Sequence, residues 1–176
     1  MEDRSWEKVD DWMRLYGDRI MRAVYLIVDD YHLAEEITQE VFVKSYHSLQ
    51  NFRGEASPYT WLYRIAINLS RDYLKRKSKV KFLPLLAEEQ HSDNLAESLE
   101  DKIARLTTGK RIRDCINKLP LIYREVIILY YFEDMKLSNI AQILKQSEGT
   151  IKSKLSRGRE FLENTMRKEG LVNEEE

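Results

Sequence analysis

The 176-residue chain is 43% hydrophobic and 34% charged, with a formal net charge of -1; that is material for one ordinary domain or two small ones, with more charge than one compact core usually carries. Its single cysteine, Cys115, excludes an internal disulfide and a cysteine-built zinc site; no apolar run approaches the roughly 18 residues of a membrane span, and Met1-Glu2-Asp3-Arg4-Ser5 lacks a secretory leader's apolar centre, so a cytoplasmic protein is expected. The near-zero total is made of opposed blocks, since Arg64, Arg71, Lys75, Arg76, Lys77, Lys79 and Lys81 face only Asp72, while Asp29, Asp30, Glu35, Glu36 and Glu40, and again the stretch Glu88 to Asp101, face no Lys or Arg; such segregation suggests separate surfaces for separate partners, one of them a polyanion.

With three prolines, six glycines and no long alternating apolar segment, the expected fold is all-α. From Trp6 to Val28 the series Val9, Met13, Tyr16, Ile20, Val24 and Ile27 predicts a buried helical stripe, with Gly17 as a weak point. A second helix follows Asp29-Asp30. Its apolar face is Leu33, Ile37, Val41 and Leu49, which leaves Glu36, Gln39, Glu40, Val43 and His47 outward as an acidic ridge with an apolar centre. Asn51 to Ser57 has turn chemistry, and Ser57-Pro58 reads as a cap followed by proline at the first helical position. The third helix then carries Leu62, Ile65, Ala66, Leu69 and Tyr73 on its core face. Thr60, Arg64, Asn68, Arg71 and Lys75 lie on the other side, among Tyr59, Trp61 and Tyr63.

From Lys77 to Thr107 the pattern breaks, with Pro84 and a centre rich in Glu, Ser, Asn and Asp, and a linker is expected. Some 30 residues at about 3.3 Å each could reach ~100 Å, so the flanking domains need not touch. A short helix is possible near Leu95 to Leu106. The second domain begins near Gly109: one helix through Ile112, Cys115, Ile116 and Leu119 stops at Pro120, and another spans Leu121 to Phe132 with Val126, Ile127 and Tyr130 inward. Leu137 to Met166 then reads as two short amphipathic helices around a polar turn, Ile140, Ala141 and Leu144 inward on the first and Ile151, Leu155, Gly158 and Leu162 on the second. Opposite stand Thr150, Ser153, Lys154 and Arg157, flanked by Lys152, Ser156 and Arg159, a donor-rich face of the kind that enters a major groove; the plainer reading is a solvated surface helix. The expected architecture is two small helical domains joined by a flexible linker, the second containing a helix-turn-helix, divided as 1–77, 78–107 and 108–176.

No catalytic grouping is found. His32, His47 and His91 are scattered with no ligand spacing, no Ser-His-Asp set can be argued, and no glycine-rich phosphate loop is present. The carboxylates from Asp29 to Glu40 could in principle hold a divalent metal for nuclease chemistry, but no histidine joins them and an apolar face adjoins them, which suits a protein partner better. No metal, cofactor or small-molecule substrate is expected.

Ala34-Glu35-Glu36-Ile37-Thr38-Gln39-Glu40-Val41-Phe42, Phe52-Arg53-Gly54 and Tyr59 through Asn68 closely resemble the second conserved region of bacterial extracytoplasmic-function sigma factors. Leu119-Pro120 through Tyr131, with Gly149 through Arg159, resembles their fourth. The resemblance implies a non-enzymatic subunit that binds core RNA polymerase and directs promoter-specific initiation in a stress or envelope response. It implies that Glu36, Gln39, Glu40 and Val43 dock on the polymerase. It further implies that Phe52, Tyr63 and Asn68, beside Trp61, hold a base flipped from the non-template strand at the downstream promoter box, where Arg64, Arg71, Lys75 and Arg76 hold phosphates. Stacking is worth ~1–3 kcal/mol per base, which helps offset the cost of opening. Lys152, Ser153, Lys154, Arg157 and Arg159 would meet the upstream box on duplex DNA. An anti-sigma partner, able to hold the cytoplasmic chain at the membrane, is implied too. One departure is the turn Lys145-Gln146-Ser147, where the family usually has glycine; a left-handed Lys145 would cost roughly 1 kcal/mol. A dimeric helix-turn-helix repressor is the alternative, predicting autonomous binding to a palindromic site.

Overall fold

A computed structural model of the chain describes residues 4–80 and 99–172. Among them are seven α-helices: α1 (Arg4–Val28), α2 (Tyr31–Ser48), α3 (Pro58–Val80), α4 (Leu99–Lys118), α5 (Leu121–Ile127), α6 (Leu137–Leu144) and α7 (Glu148–Lys168). No strand occurs among the described residues. A 3-10 turn at Leu49–Asn51 follows α2, and a widened π-turn at Ile128–Phe132 continues α5.

The first three helices pack pairwise. Val9, Ile20, Val24 and Ile27 of α1 are buried as the spacing predicts, joined by Trp12, Ala23 and Val28, whereas Met13 is exposed. Gly17 does not interrupt α1, and the Phe42 ring lies 4.0 Å from where its Cβ would be. Asp29 ends the helix in the left-handed region (φ 53°), a conformation Asp tolerates better than most residues. Asp30 then caps α2 by accepting from the Leu33 N–H at 3.0 Å. Ser57 does the same for α3, accepting from the Thr60 N–H at 3.1 Å.

In the second half, α4, α5 and α6 all pack on α7. A Cβ added at Gly158 would lie 3.1 Å from Ile127 Cγ1 and 3.3 Å from Tyr123 Cβ, so the glycine lets α7 approach α5 closely. Lys145 is left-handed (φ 53°, ψ 50°), and Ser147 caps α7 through the Thr150 N–H at 3.1 Å.

Three boundaries differ from the expectation. Gly109 does not start a helix but lies inside α4, since one glycine costs about 1 kcal/mol in a helix that packing already supports. The helical spacing near Leu95 belongs in part to α4, while residues 81–98 of the expected linker lie outside the described residues. The helix expected from Leu121 to Phe132 widens at its end, which buries Ile128 and Leu129, leaves Tyr131 and Phe132 exposed, and turns Glu133 inward. The two helical groups are also in contact: α6 packs on α3, and α1 meets α4, α5 and the π-turn, within one apolar cluster.

Candidate nucleic-acid interface

The ridge on α2 forms as the spacing predicts. Glu36, Gln39 and Val43 are exposed and Glu40 is half-buried, all opposite buried Ile37 and Val41. Glu40 is the one member of that ridge already engaged, accepting from the Tyr73 hydroxyl at 3.0 Å and pairing with Lys44 at 3.2 Å. The bond to Glu40 holds the Tyr73 phenol above its usual range. Beside Val43, Tyr46 is exposed and meets Trp6 edge-on, with ring centroids 5.7 Å apart.

Downstream of α2 the turn and the start of α3 enclose an open cleft of about 290 Å³, lined by Phe52, Arg53, Trp61 and Arg64 of this region and by Gln142 of α6. Phe52 and Trp61 are half-buried, with rings 5.0 Å apart, and both lean on Trp12. Both rings line the cleft and are held from another side by Trp12, and aromatic surface of this kind is what a stacked base requires. Arg64 donates to the Gln142 carbonyl at 3.2 Å, and its buried Nε has no partner among the described residues. Asn68 is exposed one turn along and Arg71 lies beyond it on the same face.

Two residues of this stretch are corrected. Thr60, expected on the polar face, is buried, with its hydroxyl 2.9 Å from Ser57 Oγ. Tyr63, expected beside Phe52 and Asn68, is fully buried, and its hydroxyl donates to Glu133 Oε2 at 2.5 Å. Burial first, then that bond, drive its phenol far above the ordinary range. The Tyr59 phenol donates to the same oxygen at 3.1 Å and is pushed up to about 12, again chiefly by burial. Arg19 completes the group, its Nε 3.3 Å from Oε2 and its terminal nitrogen 2.9 Å from the Glu133 carbonyl.

Arg71 is likewise engaged. Its Nε and terminal nitrogen donate to the two oxygens of Glu125, each at 2.6 Å, and Glu125 is buried. These charge-assisted bonds hold the guanidinium above its usual range. Glu125 is the dry half of this pair and Arg71 is partly exposed, so it is loss of Arg71 that leaves a charge buried without a partner.

On α7, Lys152, Ser153, Arg157 and Arg159 are exposed and Lys154 is half-buried, opposite buried Ile151, Leu155 and Gly158. Apart from the Arg159 contact with the Tyr131 hydroxyl at 3.5 Å, the donors of this face point to solvent. The sequence reasoning missed Arg19, Tyr59, Glu125 and Glu133 as members of a site. The only local signal was two glutamates, Glu125 and Glu133, at either end of a strongly apolar run.

Family models match the chain twice, Sigma-70 region 2 over residues 12–80 and Sigma-70, region 4 over residues 109–162. The chain is 34% identical to the ECF RNA polymerase sigma factor SigW of Bacillus subtilis over 164 residues, 89% of this chain and 88% of that protein. It is 32% identical to the ECF RNA polymerase sigma-E factor of Haemophilus influenzae over 136 residues, covering 73% and 72% of the two. In structure it is similar to the sigma factor RpoE solved with the anti-sigma factor NepR from Bartonella quintana, with a TM-score of 0.72 at 21% identity over 92% of this chain and 98% of that one. It is also similar to CnrH solved with the cytosolic domain of CnrY, with a TM-score of 0.68 at 19% identity over 92% and 89% of the two chains. With both conserved regions present in order and a relative matched over nearly its whole length, the chain belongs to the ECF RNA polymerase sigma factors.

Proposed function

We propose that this sigma factor acts without catalytic chemistry of its own, in the cytoplasm, by bringing core RNA polymerase to promoters and helping to open them. The observation that carries the reading is the presence on one chain of the α2 ridge, the aromatic and basic start of α3, and the free donor face of α7. Residues 1–77 would bind polymerase and the opened strand, residues 78–107 would tether, and residues 108–176 would bind duplex DNA upstream. Glu36, Gln39 and Glu40 supply polar contacts to polymerase around an apolar centre at Val43. Phe52 and Trp61 stack a flipped base, Asn68 supplies hydrogen bonds, and Arg64 and Arg71 hold phosphates. Lys152, Ser153, Lys154, Arg157 and Arg159 meet the upstream box through base edges and backbone. An anti-sigma partner, able to hold the chain at the membrane, fits the same two halves; sigma factors solved with such partners share the fold.

Mixing purified chain with core polymerase and a panel of promoter templates tests this. Specific run-off transcripts that vanish without the chain are expected. Failure to bind core polymerase at low salt would overturn it. A dimeric repressor would account for α6 and α7 but leaves the region 2 match and the α2 ridge without a role.

A further inference from the structure

The first turns of α1 bring one cation to the aromatic cluster beside the cleft. Lys8 precedes Trp12 by four residues, so the two share a face of the helix, and the Lys8 ammonium lies 5.3 Å from the centre of the Trp12 ring. The same nitrogen lies 5.6 Å from the centre of the Phe52 ring, which arrives from the turn after α2. Phe52 lines the cleft and Trp12 packs on both Phe52 and Trp61, so the ammonium stands on two of the three rings of that cluster. Lys8 is exposed, and although Glu7 and Asp11 flank it on α1, it pairs with no carboxylate among the described residues. A ring face attracts an ammonium but satisfies its three N–H donors less well than an oxygen would, so the charge is placed while its donors stay available to an incoming anion. The cleft itself carries Arg53 and Arg64 beside one carboxylate, Glu55, and Lys8 adds positive charge from a different helix. Single-stranded nucleic acid is held by this combination, bases on aromatic surfaces and phosphates on cations set around them. Lys8 lies before residue 12, where the match to Sigma-70 region 2 begins, and outside the strand-binding set proposed above.

We propose that Lys8 is a further strand-binding residue, its ammonium held on Trp12 and Phe52 so as to pair with a phosphate next to the base stacked at Phe52 and Trp61. The proposal rests on the reading of the cleft as the seat of a flipped base. Arg64 and Arg71 reach the strand from α3 and Lys8 reaches it from α1, so the strand is gripped from two helices. A phosphate contact of this kind fixes register and adds affinity that salt weakens, without reading sequence. Resting on the rings limits the freedom of a flexible four-carbon stem before the strand arrives, so less ordering remains when the phosphate binds. A lysine that only shields the rings is the competing role, and salt separates the two: a phosphate contact releases counterions, and shielding does not.

The test uses polymerase holoenzyme assembled with the full chain and a fluorescein-labelled single-stranded DNA of mixed sequence, its affinity followed by anisotropy over a range of salt. Lys8→Met keeps an apolar stem on the rings and removes the charge. It should flatten the slope of log affinity against log salt by about 0.7, the share of one phosphate on a single strand. That slope amounts to about fivefold weaker binding at about 0.1 M salt, a difference that closes toward about 1 M. Lys8→Arg, which keeps a cation over the rings, should retain the wild-type slope. Weaker binding in Lys8→Met at an unchanged slope, no change at all, or a Lys8→Arg as flat as Lys8→Met would each overturn the proposal. Should Lys8→Met lose helicity by circular dichroism, the wild-type holoenzyme decides: chemical acetylation of the Lys8 amine, read by mass spectrometry, must fall on saturation with the same DNA, and undiminished acetylation overturns the proposal. The reading of the cleft is tested apart, by Asn68→Ala and the permanganate reactivity of promoter DNA, since Asn68 stands on α3 and Lys8 on α1. Opening lost there with an unchanged Lys8→Met slope condemns only the Lys8 contact, and opening kept there with a flattened Lys8→Met slope condemns only the reading of the cleft.

Discussion

At Gly158 α7 comes close to α5, and both neighbours of the missing Cβ are fixed: Ile127 is buried and Tyr123 Cβ is one bond from the α5 backbone. In Gly158→Ala, overpacking of about 1–3 kcal/mol competes with roughly 1 kcal/mol of helix propensity gained. Overpacking wins here because neither neighbour can give, so urea denaturation should show a net loss of about 1 kcal/mol. Tyr59 makes a second prediction at this scale. Its folded phenol lies at about 12, against about 10 in an unfolded chain. The neutral phenol is favoured by folding, so its contribution is complete below pH 10 and is lost as pH rises from 10 through 12. Far-UV circular dichroism across that window should show stability falling, and falling less steeply in Tyr59→Phe. Of these residues Gly158 was legible as an inward position, because helical spacing is local. The partners of Tyr59 and Tyr63 were not, because Glu133 lies 70 residues from Tyr63 and no periodicity links them.

Helix ends are where the sequence spoke most plainly. Asp30, Ser57 and Ser147 each accept the backbone N–H three residues on; the cap at Ser57 is the one read from the sequence, and the other two fall in the turns expected before α2 and α7. Ser147→Ala should therefore cost about 1 kcal/mol, read by thermal unfolding, and loosen the start of α7. Lys145→Gly should act oppositely. It relieves the left-handed backbone that lysine adopts between α6 and α7, a gain of up to about 1 kcal/mol after the added freedom of the unfolded chain. Where the sequence misled, it did so through residues whose local preference was overruled. Gly109 looks like punctuation, yet α4 continues through it. The run from Leu121 to Phe132 looks uniformly helical, yet its end opens into a π-turn. That widening is what places exposed Tyr131 and Phe132 next to buried Glu133, and no count of apolar positions foretells it.

Over the whole molecule, an acidic ridge on α2, basic residues along α3 and donors along α7 stand on three helices, the first two blocks touching where Lys77 pairs with Asp30 at 3.5 Å. Their separation predicts separable defects in holoenzyme assays. Asn68→Ala should impair strand opening, read by permanganate reactivity, more than duplex binding. Arg157→Ala should weaken the upstream footprint by about 1–3 kcal/mol if it reads a base edge, with opening from pre-bound complexes unaffected. Two-part architecture was legible from the two blocks of motifs, but not that α3 and α6 would meet, since contact between tethered groups leaves no trace in either group's own periodicity. One quiet feature of that architecture has a practical use. Cys115 is completely buried and burial raises its thiol, so the native chain offers no reactive sulfur at its surface. Any cysteine introduced on the outside becomes a unique handle for a dye. A donor on one helical group and an acceptor on the other would then give a spectroscopic ruler, read one molecule at a time, without first stripping the protein of its natural thiol.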